Sequence, residues 1–146
     1  MKRANILKFE KDNRFIMYPV NTLRGGGGIA SSPYIIKQNL SDTEVAEELL
    51  HVLDNSTVDV LRPVDWELFQ KSHLKNMGFK TMKSLHDDSI SVSVFTKDNN
   101  YYINPTVNKG PKQGFQGATE DRIIISINAT IDEMADALKE AFARCK

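Results

Sequence analysis

The chain has 146 residues, 40% hydrophobic and 26% charged, which is the make-up of one globular domain with a real core. Nineteen basic residues balance nineteen acidic ones, so overall charge points to no nucleic-acid or membrane partner. The lack of any apolar run near about 18 residues excludes a membrane-spanning helix, and the single Cys145 excludes an internal disulfide or a cysteine-built metal framework.

Lys2 and Arg3 are not followed by the apolar stretch of a secretory signal, so a cytoplasmic protein is expected. Arg14 to Val20 reads as a first strand, and Pro19 suggests that it ends there or lies at an edge. Gly25-Gly26-Gly27-Gly28 and Ser31-Ser32-Pro33 read as a flexible loop, with a short strand at Tyr34–Ile36. Ser41 and Glu44 form a capping box for a helix whose apolar face is Val45, Ala46, Leu49, Leu50, Val52 and Leu53. Val58 to Leu61 is apolar but short. Asp65 is placed to cap a helix from Trp66 to Met77, closed by Gly78, and a helical turn near Thr81–Leu85 follows.

Ser89 to Thr96 alternates polar and apolar residues, the pattern of a half-buried strand. Turn chemistry at Lys97–Asn100 joins it to Tyr101–Asn104 as a hairpin, and Pro105 to Thr119 reads as a loop. The β-branched run Ile123–Ile127 then feeds a helix capped by Thr130 and Glu133, with Ile131, Met134, Ala135, Leu138, Ala141, Phe142 and Cys145 on one stripe. The expected fold is a single α+β domain spanning 1–146, a mostly antiparallel sheet packed with about three α-helices.

Charge is unevenly spread. Residues 1–40 carry net +5, 41–70 net −7, 71–97 net +3 and 98–146 net −1. The acidic block is either a solvated face balanced in space or a face for a basic partner.

No motif carries chemistry. A phosphate cradle needs its Gly-rich loop to run straight into a helix, and no helix begins until Ser41. Cys145 lies on the apolar stripe and reads as packing. His51 and His73 have no second ligand at helical spacing, so no metal site is expected. His86 with Asp87 is the one His–carboxylate cluster, and a small hydrolase built on that pair is one alternative function. A nucleic-acid module using Lys109 and Lys112 in the 109–117 loop is another, although two lysines make a thin electrostatic footprint. Trp66 and Phe69 read as core unless exposed, in which case Trp66 would anchor an interface.

Several segments in order resemble the immunity proteins of contact-dependent growth inhibition systems. They are the acidic helix start Ser41–Leu50, the turn Met77-Gly78-Phe79-Lys80-Thr81, the strand Ile103-Asn104-Pro105-Thr106, the loop Phe115-Gln116-Gly117, and the closing Ala137–Cys145. The likeness covers residues 41–146; Ala46 and Ala135 stand where the family often has Gly, and the Gly25–Gly28 tract is not a family feature. It implies a non-enzymatic protein with no cofactor and no metal. Such a protein binds and neutralises the toxin C-terminal domain of a delivered effector, one-to-one, without membrane or direct nucleic-acid contact. With a nuclease as toxin, the expected contacts are the acidic Glu47, Glu48, Asp59, Asp65, Asp87, Asp88 and Asp98.

Overall fold

In the computed structural model, which describes all residues 1–146, one antiparallel sheet of eight strands carries four helices. The strands are β1 (Arg3–Phe9), β2 (Arg14–Thr22), β3 (Gly28–Ala30), β4 (Ile35–Gln38), β5 (Ser89–Lys97), β6 (Asn100–Asn108), β7 (Phe115–Gly117) and β8 (Ile123–Ser126). The helices are α1 (Asp42–Asp54), α2 (Trp66–Met77), α3 (Met82–His86) and α4 (Ile131–Arg144). The α+β expectation holds. No helix is long and apolar enough to cross a membrane.

Four long strands, in the order β2-β1-β5-β6, form the body of the sheet. Each outer one changes partner half-way: β2 pairs first with β4 and then with β3, and β6 first with β8 and then with β7. Pro19 and Pro105 sit at those two seams. The Pro19 carbonyl accepts from Ser31 N–H and the Pro105 carbonyl from Ala118 N–H. In a strand the N–H of a residue points to the same side as its C=O, so each proline's missing donor falls in a gap between partners. The expectation that Pro19 ends its strand is therefore corrected: β2 runs on to Thr22. The loop expected from Pro105 is likewise strand as far as Asn108.

Side-chain alternation sends Ala4, Ile6, Phe15, Met17, Val92, Val94 and Ile103 to one face, under α1 and α4. Leu7, Phe9, Ile16, Tyr18 and Val20 point to the other face, under α2 and α3 through Leu74, Met77 and Leu85. Because β1 is buried on both faces it lacks the alternation that marks a strand in sequence. The polar side of β5 is covered as well: Ser89 and Ser91 are buried, with Ser89 Oγ donating to the Leu85 carbonyl and Thr106 Oγ1 to the Ser91 carbonyl. That strand is thus more than half-buried. Both capping boxes form as read, at Ser41–Glu44 and Thr130–Glu133.

Candidate functional site

Between α1 and α2 the chain runs along the β2–β3 hairpin as a clasp. Thr22 N–H donates to the Thr57 carbonyl at 2.9 Å, Val60 N–H to Thr22 at 3.1 Å, and Arg24 N–H to Val60 at 2.7 Å. The Arg24 guanidinium grips Asp59 with two bonds, at 2.8 and 3.2 Å, and Arg62 donates to the Gly26 carbonyl at 3.1 Å. The glycine tract is thus the turn of a hairpin held from its side. Gly25, Gly26 and Gly27 all take positive φ, which that turn demands of them.

This clasp and the start of α2 are where the protein exposes apolar surface. Of eight exposed large hydrophobic side chains, five lie within eleven residues: Val58, Leu61, Val64, Trp66 and Leu68. Asp65 caps α2 by accepting from Leu68 N–H, and Gly78 ends it in the left-handed region. The stripe Trp66, Phe69, His73, Leu74 and Met77 faces the sheet, but only Leu74 and Met77 reach the core. The first half of the helix overhangs, so Trp66 stays 48% exposed.

A row of rings supports that overhang. Trp66 meets Phe69 edge-on at 5.9 Å, Phe69 stacks on His73 at 6.0 Å, and His73 meets the Tyr18 ring edge-on at 5.1 Å. The Tyr34 hydroxyl lies 2.6 Å from His73 Nδ1. Burial pushes the His73 imidazole down to about 4 and the Tyr34 phenol up, so both are neutral and the row carries no charge.

The acidic residues expected at a contact face are spread apart. Glu48 is paired with Lys37 at 2.5 Å, Asp59 with Arg24 and Asp87 with Lys83 at 3.4 Å, while Asp65 is occupied as a cap. Asp88 and Asp98 sit in left-handed turn positions. Asp87 and Asp88 lie by the β1–β2 turn, next to the Phe9–Ser89 pair, whereas Asp98 is at the other end of β5, where Thr96 bonds Lys2. The nine residues of β5, about 30 Å of strand, separate them. Glu47 is exposed on α1. Of the seven, Asp59 and Asp65 alone lie within the exposed apolar segment.

The residues singled out for catalysis do not converge. His86 is buried, bonded through Nδ1 to the Met82 carbonyl at 2.8 Å and stacked on Phe115 at 4.6 Å, while Asp87 points to solvent. That stack also takes Phe115 out of the 109–117 loop as a platform for bases. No three His, Cys, Asp or Glu side chains gather where they could hold a metal ion. Burial pushes the Cys145 thiol up, and its single S–H is shared between the Ser91 and Ala141 carbonyls, 3.3 and 3.4 Å from Sγ.

Sequence reasoning missed Val58, Leu61, Val64 and Leu68. The available signal was a run of apolar residues without helical or strand period, interrupted by Pro63, which no core element could use.

A family model described as CDI immunity protein (CdiI) matches residues 9–145. No curated protein matches the chain. Solved structures share the fold, two of them over nearly the whole chain. One is a protein of unknown function from Neisseria meningitidis, 19% identical, with a TM-score of 0.78 over 99% of this chain and 95% of that one. The other is a CdiA-CT/CdiI toxin and immunity complex from Yersinia pseudotuberculosis, 17% identical, with a TM-score of 0.78 over 99% of this chain and 97% of that one. At these identities the likeness shows the fold.

Proposed function

Because the chain belongs to the CDI immunity protein family, and is therefore a toxin-neutralising protein rather than an enzyme, we propose that it stops its toxin by one-to-one occlusion, seating it on the clasp and the overhanging start of α2. The observation that carries this is the gathering of Val58, Leu61, Val64, Trp66 and Leu68 at the surface. Scattered single apolar residues are common on a surface, but a cluster of them along one short segment marks an interaction site. Trp66, propped by Phe69, has the chemistry of an interface anchor.

Charged side chains are interleaved with these apolar ones. Asp59, held by Arg24, the cap Asp65 and Glu67 alternate with Val58, Val64, Trp66 and Leu68, beside Arg62. A toxin face with cationic groups, such as a nuclease uses to grip nucleic acid, complements these carboxylates. The immunity protein then works in the cytoplasm, competes with the toxin's substrate, and touches no nucleic acid itself.

Co-expression tests this reading. The chain and its cognate toxin domain are expected to co-purify at one-to-one stoichiometry and to leave the cells viable. Separate elution of the two, with the toxin fully active, would overturn it.

A further inference from the structure

The far end of α2 carries a different surface. Lys71, Leu74, Lys75, Gly78, Phe79 and Lys80 line an open cleft of about 510 Å³. Gly78, at φ 84, turns the chain sharply, and Phe79 N–H bonds back to the Leu74 carbonyl at 2.9 Å, which brings Phe79 and Lys80 beside the helix. Three ammonium groups line this cleft and no carboxylate does. Glu67 reaches Lys71 at 3.5 Å, but both side chains are more than 70% exposed and the pair is screened. Lys75 and Lys80 make no ion pair. A helix C-terminus offers only about half a negative charge, so it leaves most of this cationic charge unanswered.

We propose that this cleft receives a carboxylate-bearing segment of the toxin domain, so that α2 recognises its partner with both ends, Trp66 at one and the lysines at the other. This rests on the toxin-neutralising reading above and adds the chemistry of the partner. Twelve residues span about 18 Å, which fits within a face of about 800 Å² per partner.

The surroundings favour a short anion over a polyanion. Across Phe79 the neighbouring cleft is lined by Asp12, Asp87 and Asp88 together with Lys11 and Arg14, and Glu67 lies on the opposite side. A nucleic-acid backbone leaving the lysines would run into those carboxylates. One or two carboxylate side chains on a protein surface would not. Phe79, stacked on Phe9 at 5.4 Å, gives the cleft an apolar wall for the stem of such a side chain.

The test uses the full chain with Lys75→Glu and Lys80→Glu together, titrated with the cognate toxin domain by calorimetry at low and high salt. The affinity at low salt is expected to fall about tenfold or more and its salt dependence to shrink, with the thermal midpoint unchanged because both side chains are exposed. A lysine replacing the matching toxin carboxylate is expected to restore binding. Wild-type affinity and salt dependence in the double variant would overturn the proposal alone. So would binding of labelled single-stranded RNA that the double variant loses while toxin affinity stays the same. Failure of the wild-type chain to bind toxin at all would overturn the parent reading with it.

Discussion

Tyr34 and His73 meet at 2.6 Å, hydroxyl to Nδ1, and this contact ties α2 to the edge of the sheet ahead of β4. A neutral imidazole can make the bond in either direction, but an imidazolium can only donate. Burial holds His73 at about 4 in the folded protein, below its ordinary 6.5. Between those values the unfolded chain takes up a proton that the folded one refuses. Stability is therefore expected to be level above about pH 6.5 and to fall as pH drops toward about 4. Denaturant melts across that window check this. His73→Phe should flatten the decline whatever its absolute stability; an unchanged slope would remove His73 as its source.

Leu49 and Leu68 are both helical leucines with opposite assignments. Leu49 is fully buried between α1 and the sheet, whereas Leu68 is 61% exposed on the far side of α2. Leu49→Ala is expected to cost about 2–5 kcal/mol of stability, and Leu68→Ala less than about 0.5 kcal/mol. Chemical denaturation measures both. A large loss at Leu68 would show that the segment is packed and not presented.

Gly28 is constrained by space, unlike the positive-φ glycines before it. A Cβ there would lie 2.6 Å from Arg3 Nη2 and 2.7 Å from Val20 Cγ1. The arginine tip can swing away, but the valine is β-branched and fixed in its strand. Gly28→Ala is expected to destabilise by about 1–3 kcal/mol through overpacking and to loosen the hairpin that the clasp holds. Hydrogen exchange at the Thr22 amide, bonded to the Thr57 carbonyl, and at the Val60 amide, bonded to the Thr22 carbonyl, would report it.

The helices were legible because their starts are chemical. Ser41 with Glu44, Asp65, and Thr130 with Glu133 cap helices where their spacing says they should, and Gly78 closes α2. β1 was not legible because burial on both faces erases its alternation. The prolines misled because the gap that accommodates each is made by two separate short strands, neither of which carries a clear strand pattern of its own. At the candidate site, the acidic block lost its meaning through pairs such as Glu48 with Lys37 and Asp59 with Arg24, which cross between segments. The exposure of α2 was hidden for a related reason: Trp66 and Phe69 have the spacing of a core stripe, and only the position of the helix over the sheet leaves the first of them in solvent.

Toxin held on the overhanging end of α2 must lose its grip when Trp66 is removed. Calorimetric titration of the cognate toxin domain into wild-type protein and into Trp66→Ala, with matched thermal melts, tests it most directly. One-to-one binding is expected of the wild type and a loss of about 30-fold or more of the variant, in line with an anchor worth about 2 kcal/mol, while the variant remains folded. Equal affinity of the two proteins for the toxin would contradict it.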